Sequence, residues 1–203
     1  MSSFSKRPVR YLITRGDLNE SNFSKKHLET LSIIRSAVQR GIELVQIREK
    51  ALGARDLFQL ASHAVKIAAM SETLILVNGR FDIALVAGAQ GVHLTSRSIP
   101  ANVVRHSVPV RFLIGVSAHS KEEVLEARTA GADFALFGNV FATPGKGKPT
   151  GLDALSLVCR AADTFPLIAV GGIDDSNAQE VIDAGAAGFA AIRYLNEFVT
   201  IEA

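Results

Sequence analysis

Cysteine is nearly missing from this chain. Cys159 is the single thiol in 203 residues, so neither an internal disulfide nor a cysteine cluster for zinc or iron–sulfur can form. It lies in an amphipathic run, LSLVCRAA, where a small thiol is expected to pack as a core residue. Tryptophan is absent, and aromatics make up only 6% of the residues. The 22 basic and 20 acidic side chains nearly cancel, leaving a net charge of +2 scattered along the chain. A nucleic-acid surface needs a basic stripe with interleaved aromatics, so no nucleic-acid partner is expected. No stretch approaches the roughly 20 apolar residues that span a bilayer, so no membrane partner is expected either. The opening residues, MSSFSKRPVRYLIT, hold no long apolar run before a cleavage site, which argues against a secretory signal. With 48% hydrophobic and 21% charged residues, the chain reads as one well-packed domain over 1–203, with a cytoplasmic location expected.

Short apolar runs alternate with helical patterns along the whole length. The runs are residues 10–14 (RYLIT), 44–48 (LVQIR), 73–77 (TLILV), 91–94 (GVHL), 112–116 (FLIGV), 133–137 (DFALF), 166–170 (PLIAV) and 188–192 (GFAAI). Helical spacing fills the intervals at 27–40, 54–69, 81–86, from about 100, 121–130, 152–162 and 176–184. Continuously apolar strands are buried on both faces, as in parallel sheets made of βαβ units. Eight units predict an α/β fold of the (β/α)8 TIM-barrel type, which reaches down to about 200 residues. A doubly wound sheet usually has fewer strands, and no GxGxxG fingerprint follows the first run. Gly41, Gly88, Gly131 and Gly185 each stand just before an even-numbered strand, a recurrence that fits a barrel of similar quarters. Only residues 193–203 follow the eighth strand, so a truncated final helix is predicted. N-terminal residues or a second subunit would then cover that flank, the latter in a homo-oligomer.

In such barrels the chemistry sits at the C-terminal strand ends. Those ends carry Gln46, Arg48, Glu49 and Lys50, then Asn78, Gly79 and Arg80, then His93, Thr95 and Ser96. Ser117 and His119 follow strand five, and Asn139, Thr143 and Lys146 follow strand six, in LFGNVFATPGKGK. Gly171 and Gly172 follow strand seven, with Ile192 and Arg193 at strand eight, the usual phosphate corner of this fold. A mouth so rich in donors and cations suits a phosphate or diphosphate ester. The GKGK loop lacks the GxxxxGK[ST] pattern and is no P-loop. Its glycines suit a mobile lid over residues 143–151. Asp174 or Asp175 reads as the N-cap of the next helix. His93 and His119 are the histidines placed for proton transfer.

These motifs resemble the thiamine phosphate synthase/TenI family over essentially the whole chain. QIREK at 46–50, GVHL at 91–94, IGVSAH at 114–119, LFGNVFAT at 136–143 and AVGGI at 169–173 stand in that family's order and spacing. The resemblance implies a barrel enzyme of thiamine biosynthesis. In its synthases a pyrimidine diphosphate loses pyrophosphate, and a thiazole phosphate nitrogen captures the resulting cation. Gln46, Arg48, Lys50, Asn78, Arg80, Asn139 and Lys146 would then hold the diphosphate and substrate. Ser117 and Thr143 would line the pyrimidine and leaving-group side. Gly171, Gly172, Ile192 and Arg193 would take the thiazole phosphate.

Two departures change that reading. The synthase pattern N-D-R is here Asn78-Gly79-Arg80, and the aspartate expected four residues after GVHL is here Ser98. Both magnesium carboxylates are thus replaced, and Mg2+ is expected only if synthase activity is retained. Asn78–Leu85, NGRFDIAL, resembles the TenI branch, whose reaction is a metal-free tautomerisation of thiazole carboxylate phosphate. The histidine of that branch in FGHVF is here Asn139, so His119, His93 or Lys50 would carry the catalysis. Three functions follow, in this order: a divergent TenI-like enzyme moving a proton on a thiazole phosphate, a thiamine phosphate synthase, and a non-catalytic binder of thiazole or thiamine phosphate. An unrelated sugar-phosphate epimerase barrel would not explain QIREK or FGNVFAT.

Overall fold

The computed structural model describes residues 8–200. Eight strands alternate with eight helices. They run β1 Val9–Ile13, α1 Phe23–Gln39, β2 Leu44–Ile47, α2 Ala54–Ala68, β3 Leu74–Asn78, α3 Phe81–Ala87, β4 Gly91–Leu94 and α4 Ala101–Ser107. There follow β5 Leu113–Ala118, α5 Lys121–Thr129, β6 Phe134–Gly138, α6 Gly151–Ala162, β7 Leu167–Val170, α7 Ala178–Asp183, β8 Gly188–Ala191 and α8 Arg193–Phe198. Each strand pairs in parallel with its sequence neighbours, and β8 returns to β1 with Val9 opposite Gly188. This is a closed (β/α)8 barrel. Boundaries differ from the sequence expectation by a few residues. Helix α1 begins four residues early because Asn19 Oδ1 accepts from the amides of Ser21 and Asn22, turning the chain ahead of buried Phe23.

Alternation along the strands divides the core in two. Tyr11, Leu44, Leu76, Phe134, Leu136 and Ile168 point inward and fill the barrel. Their neighbours Leu12, Val45, Ile75, Val77, Ala135 and Ala169 point outward under the helices. Inside, the Tyr11 ring meets Phe134 edge-on at 5.9 Å and 75°. Gly115 makes room for that ring, since a Cβ there would lie 2.3 Å from Phe134 Cζ.

The recurring glycines have one common cause. Gly41, Gly88, Gly131 and Gly185 all have positive φ and end α1, α3, α5 and α7. After each, the next amide donates to the carbonyl five residues back: Ile42 to Ala37, Ala89 to Ala84, Ala132 to Ala127 and Ala186 to Val181. That is the Schellman stop, which needs a left-handed residue. Cys159 packs its Cβ against Gly185, half-buried rather than in the core, and burial pushes its thiol up to about 11.

The final helix is short, as predicted, with six residues. It is fastened by Asn196, which is buried and donates to the carbonyls of Ile13 and Ile192 at 2.8 and 2.6 Å. The Arg40 guanidinium lies over the Phe198 ring at 5.1 Å. The N-terminal residues suggested as a cover lie, up to residue 7, outside the described ones.

Closure leaves no slack at the β8–β1 seam. A Cβ on Gly188 would stand 2.1 Å from the Val9 carbonyl oxygen, a backbone atom that cannot swing away. Gly188→Ala should therefore lose about 1–3 kcal/mol in urea unfolding. Gly147→Ala, with nothing within 4 Å of the added Cβ, should stay within about 0.5 kcal/mol of wild type. Equal stability of the two variants would refute the seam.

Candidate functional site

A cavity of about 600 Å³ opens at the C-terminal ends of the strands. It collects Gln46, Arg48, Asn78, His93, Ser117 and His119 from β2 to β5. It also collects Asn139, Thr143 and Lys146 from β6 and its loop, and Gly171, Gly172, Ile192 and Arg193 from β7 and β8. Thirteen positions nominated from the sequence thus share one wall. Lys50 and Arg80 do not line the cavity itself.

The floor is polar and internally paired. Gln46 Nε2 donates to Asn78 Oδ1 at 3.2 Å, and His93 Nε2 shares a hydrogen bond with Ser117 Oγ at 2.9 Å. Both Gln46 and His93 are buried, His93 above the Tyr11 and Phe134 rings. Burial, with the nearby Arg48 charge, drives the His93 imidazole down to about 3. His93 is therefore neutral near pH 7, and an imidazole so reluctant to take a proton is a weak general base. His119 is different: it is exposed, and its Nδ1–H donates to the Gly138 carbonyl, leaving Nε2 as an acceptor.

The charged run after β2 splits into two roles. Glu49 is buried and accepts from Thr14 Oγ1, the Gly16 amide and the Leu18 amide, at 2.5, 3.1 and 2.9 Å. Thr14 Oγ1 in turn accepts from the Arg48 amide at 2.9 Å. The Arg48 guanidinium lies against Gly16, where a Cβ would stand 3.1 Å from Nη1. Glu49 thus anchors the β1–α1 loop and the backbone that carries Arg48, leaving Arg48 and Lys50 without a carboxylate partner among the described residues. The Lys50 ammonium is pulled below its usual range, first by Arg48, then by partial burial, Lys146 and Arg97. Lys50 thus stands within electrostatic reach of three other cations, two of which, Arg48 and Lys146, line the cavity.

Arg80 is elsewhere engaged. Its Nε and Nη2 fork onto Asp82 at 2.9 and 2.6 Å, so the structure does not support Arg80 as a diphosphate ligand. On the other side, Gly171 and Gly172 fold tightly under the β6 loop. A Cβ on Gly171 would meet Asn139 Cβ at 2.4 Å, and one on Gly172 the Ala142 carbonyl oxygen at 2.6 Å. Asn139 also holds that loop: its Nδ2 donates to the carbonyls of Phe141 and Gly147, and its carbonyl accepts from Thr150. Thr143 Oγ1 donates to the Phe141 carbonyl. The expected N-cap falls to Asn177. Asp174 instead heads a turn, accepting from the Ser176 hydroxyl and amide, which hold its carboxyl low.

Gly79 and Ser98, where the resemblance leads one to expect metal-binding aspartates, do come together. A Cβ on Gly79 would lie 3.5 Å from Ser98 Oγ, and that hydroxyl already accepts from the Thr95 amide at 2.9 Å. One hydroxyl and a bare backbone do not fit magnesium, which favours carboxylate oxygens. Among the described residues no group of three or more His, Cys, Asp or Glu side chains could hold a metal ion. Sequence reasoning missed Arg97, Tyr194 and Glu197. The last two line the cavity from α8 one and four residues after Arg193, and Arg97 directly precedes Ser98.

Fold and site define an α/β barrel with a cation-rimmed mouth. Residues 11–195 match the family described as thiamine monophosphate synthase. The thiamine-phosphate synthase of Chlorobium phaeovibrioides is 37% identical over 191 residues, covering 93% of this chain and 87% of that protein. That of Coprothermobacter proteolyticus is 38% identical over 158 residues, covering 77% and 74%. Among solved structures, thiamine phosphate pyrophosphorylase from Pyrococcus furiosus aligns with a TM-score of 0.79 at 28% identity, over 94% of this chain and 91% of that one. The chain belongs to the thiamine monophosphate synthase family. Among the described residues no helix is long and apolar enough to cross a membrane.

Buried His93 makes a pH prediction. Between about 3 and 6.5 the unfolded imidazole binds a proton that the folded one does not, so stability rises with pH and falls on acidification. Its contribution to the slope should be at most about 1.4 kcal/mol per pH unit. Urea unfolding from pH 6.5 to 4 should show a shallower loss in His93→Gln than in wild type; identical slopes would contradict the assignment.

Proposed function

We propose that this barrel is a transferase of the thiamine phosphate synthase type, joining a pyrimidine diphosphate to a thiazole phosphate with release of pyrophosphate. The observation that supports this reading is that one cavity is lined by anion-binding groups from two sides, enough for two stations. Arg48 follows β2, with Lys50 beside it and Lys146 on the loop after β6, while Gly171, Gly172 and Arg193 stand at β7 and β8. A monophosphate isomerase has use for only one station. The synthase names of the relatives also support this reading over the TenI-like one placed first by the sequence.

In the proposed reaction the bond between the pyrimidine methylene carbon and the diphosphate oxygen breaks, and its electron pair leaves with pyrophosphate. Arg48, Lys50 and Lys146, with Gln46 and Asn78 beneath, stabilise the charge growing on that leaving group. Ser117 and Thr143 line the pyrimidine side. The thiazole, held through its phosphate by Gly172, the backbone at Ile192 and Arg193, donates its nitrogen lone pair to the carbon and forms the C–N bond.

A tautomerase acting on thiazole carboxylate phosphate is the second reading, favoured by one observation. His119 lines the cavity and, with Nδ1–H committed to Gly138, keeps Nε2 for a proton.

Purified protein, pyrimidine diphosphate and thiazole phosphate should yield thiamine phosphate, read by thiochrome fluorescence. Arg48→Ala and Lys146→Ala should each lower kcat by about 10²–10³. Arg193→Ala should chiefly raise KM for the thiazole phosphate. Absence of product beside an active control enzyme would remove the synthase reading. Isomerisation lost in His119→Ala would then establish the second reading, and ligand binding without turnover would leave a binder.

A further inference from the structure

We infer that Arg97 is a diphosphate-binding residue, and that the rim of Arg48, Lys50, Arg97 and Lys146 holds the diphosphate without a protein-bound divalent metal. The inference rests on the proposal that the site takes a diphosphate, and it adds the residue and the metal independence.

The turn after β4 fixes where Arg97 stands. Ser98 N donates to the Thr95 carbonyl at 2.9 Å, and the Thr95 amide donates back to Ser98 Oγ at 2.9 Å. Arg97 N points at Thr95 Oγ1, 3.4 Å away. Thr95 lines the cavity and Ser98 faces Gly79, so the turn sets the Arg97 backbone beside the mouth, between the ends of β3 and β4, just outside the cavity-lining residues. Its guanidinium is exposed and makes no hydrogen bond or ion pair among the described residues.

Several arginines elsewhere in the molecule are spent on carboxylates. Arg80 and Arg10 fork onto Asp82 and Glu43, and Arg105 reaches Asp133 through Nη2. Near the mouth Arg48 and Arg97 stand with Lys50 and Lys146, and none of the four has a carboxylate partner among the described residues. Two aspartates at this place would need a cation between them and a phosphate; Gly79 and Ser98 impose no such need. A guanidinium then meets phosphate oxygens directly, with two parallel N–H donors. The depressed Lys50 ammonium records the mutual repulsion of the cluster, which a multiply charged anion relieves.

The test is calorimetric titration of the whole protein with inorganic pyrophosphate, first in chelator and then in excess magnesium. Pyrophosphate should bind in chelator, and magnesium should not tighten it. Arg97→Ala should weaken binding about tenfold to a hundredfold, the worth of a charge-assisted pair. Arg97→Lys should recover part of that, and the exposed position should leave the unfolding midpoint unchanged. Arg80→Ala should bind like wild type. Binding that appears only with magnesium, or Arg97→Ala indistinguishable from wild type, would overturn the inference. Turnover that demands magnesium would keep the proposed reaction and overturn this inference. Metal-free, Arg97-dependent binding without turnover would do the reverse. No pyrophosphate binding in either condition would sink both.

Discussion

A closed parallel barrel has one interior, and strand alternation sends every second residue into it. Everything at this site depends on that constraint. Low in the barrel the inward positions are apolar, and Tyr11 and Phe134 fill the space that Gly115 vacates. One layer higher, the same rule turns Gln46, Asn78, His93 and Ser117 inward, where water is scarce. Burial of polar groups there is offset in part by pairing, as Gln46–Asn78 and His93–Ser117, while His93 Nδ1 and the Tyr11 hydroxyl below have no hydrogen-bond partner among the described residues. The floor is an uncharged surface, and burial beside the Arg48 charge is why His93 is neutral.

Above that floor the balance reverses. Charges at the rim reach solvent and can remain unpaired, so backbone anchoring must keep them in position. The buried Glu49 serves that purpose without facing the ligand. Through Thr14 and the amides of Gly16 and Leu18 it ties the first loop to the strand that carries Arg48. Asn139 does the same for the loop that bears Lys146, clasping the carbonyls of Phe141 and Gly147. Cations held this way are oriented before a ligand arrives, which is what electrostatic stabilisation of a leaving group requires.

Loss of the family's two aspartates acquires a physical setting in the fold. Their positions lie side by side, so they belong to a single local environment. That environment is now a glycine, a hydroxyl spent on its own turn, and an unpaired arginine between the serine and the barrel mouth.

Much of this was legible in the chain alone. Eight apolar runs with helical intervals specify the barrel, because a strand covered on both faces has no polar side to display. The glycines at 41, 88, 131 and 185 mark helix ends, because only a residue tolerant of positive φ completes that stop. Most of the mouth could be named as well, since the residues that follow parallel strands all emerge at one end. Pairing, by contrast, was decided by the tertiary structure. Arg80 and Arg97 are both arginines just beyond strand ends, yet one is paired with Asp82 and the other has no carboxylate partner among the described residues. His93 and His119 both follow apolar runs, yet one is sealed beneath the floor and the other keeps a free nitrogen at the wall. Sequence determines which groups arrive at the mouth; whether each keeps its charge depends on distance and burial, which arise only when the eight strands close.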